Sequence, residues 1–255
     1  MTFKIENFEA FLLILVRITG FIYTAPFFSL RNVPIRVKSG LAIFMTAILF
    51  YTIPYNQPEY ETVLEYALLV VKEALAGAIM GFFANIAYQI ISFAGQLIDM
   101  DIGFSMVNEI DPLTNMQTTI TANLYGYLVL LMMMVTNLHH YFIKAIIDSF
   151  QVIKLGEVNL NPGIYHLMGQ FILDYFIIGF RIVLPVFAAI LVVNTILAIL
   201  SKIAPQMNMF VIGLQLKIFV GLIVLALVIE LIPSVSDFIF NEMITMLKAS
   251  VELLK

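Results

Sequence analysis

The sequence predicts an all-α, multi-helix protein of the integral membrane type, built from long broken helices and helical hairpins. Three observations predict it. Hydrophobic residues make up 62% of the 255-residue chain and charged residues only 12%, about half the roughly 25% of a soluble domain. The apolar segments each exceed the length of a typical strand, which selects helix. The connections between them carry the Pro and Asn. Mean hydropathy is +1.00, so one soluble core cannot hide this much apolar side chain. An ordinary soluble enzyme, a disordered chain and a nucleic-acid binder are excluded.

The first apolar segment covers residues 8–28 and is interrupted by Arg17. It reads as retained rather than as a cleaved signal. Lys4 is followed by Glu6 and Glu9, and no small-x-small site follows the segment. The second segment, 40–55, is short. The third, 66–98, has Lys72 and Glu73 near its start. The fourth covers 122–135 and continues past His139 and His140 to 147; the fifth covers 164–200 and the sixth 209–232. About 20 residues cross a bilayer core, so the third and fifth are far too long for plain spans. Pro185 and Asn194 are expected to break the fifth. Pro26, Pro34, Pro54, Pro112, Pro205 and Pro233 mark other boundaries. No hydrophilic linker separates two domains, so residues 1–255 are expected to form one unit without a separable soluble domain.

Charge narrows the function classes. The net charge is −4 and the pI is near 5.3, so no bulk basic field attracts nucleic acid. Cys and Trp are absent, which excludes thiolate metal sites and leaves interfacial anchoring to Tyr and Phe. Arg31, Arg36 and Lys38 place the first loop in the cytoplasm by the positive-inside rule, and Glu59, Glu61 and Glu65 place the next outside. The loop at 95–121 should then be cytoplasmic, yet it has no Lys or Arg, while Lys144 and Lys154 fall on the outer side. A simple serpentine in lipid does not fit.

Charges inside apolar segments need protein or water around them. Asp174 and Arg181 are seven residues apart, too distant to pair along one helix, and each calls for a partner on another element. Structural pairing is the simpler reading, a proton relay the sharper one. Gly213, Lys217 and Gly221 share one helical face, which permits close approach by a neighbour around a lysine. Gly77 and Gly81 form a Gly-x-x-x-Gly packing signature, extended by Ala74, Ala78 and Ala84. His139 and His140 are adjacent, not four apart, so they suit a polar helix end rather than a metal. Hydrolase, P-loop, zincin and dinucleotide-binding motifs are absent from the sequence. No catalytic, cofactor or metal site is expected, and the chain reads as a non-enzyme.

The most unusual stretch covers residues 95–117, GQLIDMDIGFSMVNEIDPLTNMQ. Gly103 supplies backbone freedom and Asp111-Pro112 marks a turn. Phe104, Met106, Val107, Ile110 and Met116 are interleaved with Asp99, Asp101, Glu109 and Asp111. Lipid rejects the carboxylates and water does not select the apolar groups. Such a segment belongs against protein or along a wet cavity, unless it is a plain amphipathic surface loop.

Here the chain resembles the FliR family of flagellar export-gate proteins. One motif is Gly95-Gln96-Leu97-Ile98-Asp99 leading to Gly103-Phe104 and Asp111-Pro112. The other is Ser201-Lys202-Ile203-Ala204-Pro205-Gln206-Met207-Asn208, with Phe210-Val211-Ile212-Gly213 and Leu216-Lys217. Asn137 to His140 and Ser149-Phe150 add weaker agreement, and the likeness runs from the first apolar segment to Glu230. The resemblance implies a subunit of the flagellar type III secretion gate, assembling with homologous helical partners of the FliP-like and FliQ-like kinds. FlhB-like and FlhA-like export components, unfolded export substrates and the membrane are the further implied partners.

The implied location is the bacterial inner membrane at the flagellar basal body, with part of the subunit raised to the periplasmic side. The resemblance also implies that the loop at 103–117 projects into the lumen as a plug. Gly103, Phe104, Met106, Ile110, Asp111, Pro112 and Met116 are its candidate residues. Gly77, Gly81, Asp174, Arg181, Pro205, Gln206, Met207, Gly213, Lys217 and Gly221 are the candidates for partner packing. Asp99 and Asp101, close together here, carry no role from the resemblance. The competing readings are a virulence injectisome subunit, a small-solute transporter using Asp174, Arg181 and Lys217, and an intramembrane enzyme. The transporter lacks matching repeats and the enzyme lacks a catalytic constellation.

Overall fold

A computed structural model describes residues 5–30, 33–53, 60–104, 109–110 and 117–255. Eight α-helices carry the described chain: α1 (Ile5–Thr24), α2 (Ile35–Thr52), α3 (Val63–Ile102), α4 (Ile120–Val135), α5 (Leu138–Val152), α6 (Gly163–Ile203), α7 (Met209–Val228) and α8 (Ile232–Leu253). Two short strands, β1 (Glu109–Ile110) and β2 (Gln117–Thr118), pair antiparallel between α3 and α4, with Glu109 opposite Thr118. Five helical stretches are long and apolar enough to cross a membrane, α7 and α8 counting as one, or six if the α4–α5 pair is one span. The expected multi-helix, membrane-type fold is therefore observed.

Local chemistry sets the boundaries. In α1, Ala10, Leu13, Ile14, Ile18 and Phe21 are buried and recur at the helical period, so one stripe faces protein. Asn137, with φ of 57°, separates α4 from α5; Asn tolerates this left-handed conformation. The apolar run through His139 is thus two helices rather than one. Pro185 does the opposite of what was expected. It lies inside α6, which continues unbroken through it and through Asn194. A proline removes one N–H bond, but ending the helix would orphan up to four donors and four acceptors in apolar surroundings. Pro233 sits in the first turn of α8, where a missing N–H costs nothing.

The chain divides into two compact units. One comprises residues 1–88, 136–172 and 240–255, the other residues 89–135 and 173–239. The helices α3, α6 and α8 contribute to both. The first unit buries Leu13, Ile18, Met80, Phe83, Phe142 and Phe171, with Phe83 and Phe171 edge to face at 6.5 Å. The second buries Ile91, Ile98, Tyr125, Val129, Val186 and Ile190. Large apolar side chains are nevertheless exposed along α6 from Ile172 through Phe180, Phe187 and Val192 to Ile203.

Candidate functional site

The loop between α3 and α4 has a tightly built base. Gly103 ends α3 with φ of 98°, and its N–H donates to the Asp99 carbonyl at 3.0 Å. Phe104 follows, half-buried. The Asp99 side chain is fully buried and accepts twice from Thr121. The Thr121 N–H reaches Oδ2 at 2.8 Å and the Thr121 hydroxyl reaches Oδ1 at 2.5 Å. One turn earlier, Gly95 lets α4 approach at backbone level, since a Cβ there would lie 2.5 Å from the Ala122 N. Tyr125 is fully buried in the field of Asp99, and neither its hydroxyl nor that of buried Thr119 has a hydrogen-bond partner among the described residues. Of the loop candidates, Met106, Asp111, Pro112, Met116 and the Ile110 side chain lie outside the described residues.

The second motif falls at the turn between α6 and α7. Ser201, Lys202, Pro205, Gln206 and Met207 are exposed there. Asn208 caps α7 by accepting from the N–H groups of Phe210 at 3.2 Å and Val211 at 3.4 Å. On α7, Gly213 and Gly221 are buried and Lys217 is half-buried. A Cβ on Gly221 would meet Ile102 at 2.7 Å, and one on Gly213 would meet Leu197 at 3.1 Å. Lys217 is close enough to Asp101 for their charges to attract. At both glycines this face has neighbours within the chain. The end of α3 and Leu197 of α6 occupy the space that the glycines leave.

Gly77 and Gly81 also lie against another helix of the same chain. A Cβ on Gly77 would lie 3.0 Å from the Phe21 N, and one on Gly81 would lie 2.7 Å from the Ala25 N. Gly20 of α1 answers them, with Ala74 O 2.6 Å from its own absent Cβ. The small-residue stripe seats α1 of the same chain, because removing side chains on both helices lets their backbones touch. Thr24 and Asn85 fasten the contact: the Thr24 hydroxyl donates to Ala78 O at 3.2 Å and Asn85 Nδ2 donates to Thr24 O at 2.9 Å.

Sequence reasoning missed the principal polar cluster of the first unit. Arg17 on α1 and Glu73 on α3 are both fully buried. Arg17 Nε and Nη2 donate to the two Glu73 oxygens at 2.5 and 3.0 Å. Arg17 Nη1 also donates to Ile153 O at 3.0 Å and Ser149 O at 3.5 Å, at the C-terminus of α5, where the helix dipole favours a cation. The Gly156 N–H closes the cluster on Glu73 Oε1 at 2.8 Å, and the guanidinium lies 4.2 Å from the centre of the Phe150 ring. The legible signal was position: Arg17 falls on the buried stripe of α1 in register with Leu13, Ile14 and Phe21.

Asp174 is half-buried and Arg181 exposed, and neither has an ion pair among the described residues. Arg181 lines a cleft of about 270 Å³ with Ile178, Ile182, Leu231 and Phe238. The His139 and His140 rings lie 4.1 Å apart, with His139 beside Phe27. The described residues contain no His, Cys, Asp and Glu cluster that could hold a metal.

Known proteins place the chain. It is 36% identical over 240 residues to the flagellar biosynthetic protein FliR of Bacillus subtilis, covering 93% of this chain and 92% of that protein. It is 31% identical over 235 residues to the protein of the same name in Escherichia coli, covering 91% and 89%. It is 27% identical over 233 residues to that of Aquifex aeolicus, covering 88% of each. The family described as bacterial export proteins, family 1, matches residues 8–243. That match takes in both motifs and all eight helices in whole or in part, and the chain belongs to this family of bacterial export proteins.

Proposed function

We propose that the chain is a subunit of the flagellar type III export gate, forming part of the wall and plug of a channel for unfolded flagellar proteins. The carrying observation is its end-to-end likeness to proteins named for flagellar biosynthesis. That likeness also favours the flagellar apparatus over a virulence injectisome. The subunit acts by conduction and not catalysis, in the inner membrane, with FliP-like and FliQ-like subunits as wall partners and FlhB-like and FlhA-like components nearby.

Helix length supports an assembly partly raised toward the periplasm. With 40 and 41 residues, α3 and α6 are each about 60 Å long at 1.5 Å per residue. That is twice the roughly 30 Å of hydrocarbon in a bilayer. Exposed apolar side chains on α6 run from Ile172 to Ile203, about 46 Å by the same rise. Lipid cannot cover that length, so neighbouring protein helices must. Arg181 and Asp174, without ion-pair partners inside the described chain, suit such neighbours, as does the exposed turn at Pro205, Gln206 and Met207. Low charge in a wall avoids trapping a chain of arbitrary sequence, and flexible Met and Phe side chains can close around it.

The test deletes residues 105–116 in cells that also make the partner subunits. Recovery of the assembled complex together with raised membrane conductance and poor growth in high salt is the expected result. An intact complex with unchanged conductance overturns the plug. The wall assignment is read separately: without FliP-like and FliQ-like partners the chain should be degraded or aggregated, and a folded, monodisperse monomer in detergent overturns it.

A further inference from the structure

We propose that Asp99 is the positioning residue of the loop at 103–119, holding its two feet together by capping α4 from across the loop. The consequence for conduction rests on the plug reading; the positioning itself rests on geometry alone.

A helix start leaves backbone N–H groups without partners, and the usual remedy is a Ser, Thr, Asp or Asn at the preceding position. Thr119 stands there, and its carbonyl accepts the Asn123 N–H at 3.0 Å. Its hydroxyl is nevertheless buried and has no hydrogen-bond partner among the described residues. The cap comes instead from Asp99, on α3, through the Thr121 N–H and hydroxyl. A local cap would travel with α4 wherever the loop went. A cap from α3 exists only while the end of α3 and the start of α4 are in contact.

The rest of the base is consistent with this purpose. Gly95 removes the side chain that would hold the helices apart at Ala122. The carbonyl of Asp99 also receives the Gly103 N–H, so one residue closes α3 with its backbone and opens α4 with its side chain. Burying a carboxylate is costly, and the local Thr was already available for capping. The carboxyl group lies at the positive end of the α4 dipole, and Tyr125, one turn after Thr121, lies within its field. The arrangement therefore gains a fixed separation between the feet of the loop, which a local cap cannot supply.

The chain has no cysteine, so one nitroxide at Asp111→Cys in the assembled complex reports loop mobility directly. Asp99→Leu and Thr121→Val should each give a more mobile label, whereas Thr121→Ser should not. The deciding variant is Asp99→Leu, which has no acceptor, combined with Thr119→Asp, which restores a cap locally. If Asp99 positions the loop, this variant assembles normally and the label stays mobile. If the label returns to the unsubstituted state, Asp99 is only a helix cap and the proposal fails. An immobile label in both Asp99→Leu and Thr121→Val also overturns it. Should every Asp99 variant fail to assemble, Thr121→Val alone decides: a mobile label supports the proposal and an immobile one overturns it. Conductance in the same strains separates the two readings. A mobile loop without a leak leaves the positioning intact and removes the plug.

Discussion

Arg17 and Glu73, 56 positions apart in sequence, meet as a two-point ion pair at zero solvent exposure. The pair joins α1 to α3, and through the carbonyls of Ser149 and Ile153 and the Gly156 N–H it also fixes the end of α5. Every charge in it is answered, which a dry interior requires.

Removing one member leaves the other buried and uncompensated. Arg17→Met or Glu73→Leu should each destabilise the protein by about 3–5 kcal/mol. The double variant should be less damaging than the sum of the two. Denaturation midpoints of the complex in detergent measure this, and simple additivity would show that the residues do not act as a pair.

The α1–α3 seam predicts a contrast between glycines. Gly77→Ala puts a methyl group into the α1 backbone at Phe21, and overpacking of this kind costs about 1–3 kcal/mol. Gly169, inside α6, has nothing within 4 Å of its absent Cβ. Gly169→Ala should be neutral or stabilising by up to about 1 kcal/mol, since Ala is the better helix former. Thermal unfolding of the two variants side by side checks the ordering.

On α7 the two glycines should also separate. Gly221→Ala drives into Ile102, whose atoms lie 2.7–2.9 Å from the added carbon and whose branched side chain is stiff. Gly213→Ala meets only the end of Leu197 at 3.1 Å, which can rotate away. Recovery of intact complex should fall for Gly221→Ala and stay near normal for Gly213→Ala. Lys217→Ala should be milder than Gly221→Ala, because Lys217 is only half-buried.

At the turn before α7, Asn208→Ala removes the acceptor for the Phe210 and Val211 N–H groups. The expected cost is about 1 kcal/mol, and Asn208→Asp should retain the cap. A thermal shift for Ala without one for Asp is the result to look for.

Much of the fold was legible because helix formation in apolar surroundings is a local matter. Composition fixed the class, and run lengths located α1, α2, α3, α6 and α7 to within a few residues. The break at Asn137 and the continuation through Pro185 were not legible. Both depend on what backbone groups meet when the helix stops, and that is set by neighbours. The glycine faces were visible as faces, but a Gly-x-x-x-Gly signature does not say which helix it receives. Gly77 and Gly81 receive α1 of the same chain, and Gly221 receives the end of α3.

By itself the sequence determined that this chain is built from long apolar helices, with an acidic, glycine-hinged loop before α4 and a proline-marked turn before α7. Local propensity and hydropathy suffice for those statements, since each involves residues within a few turns of one another. Only the tertiary structure decided that Arg17 answers Glu73, that Asp99 caps α4 in place of Thr119, and that the small-residue stripes close inward. Each of these joins positions 16 or more apart in sequence. Pairings over such distances are chosen by the packing of whole helices, because a buried polar group is stable only where that packing delivers its partner.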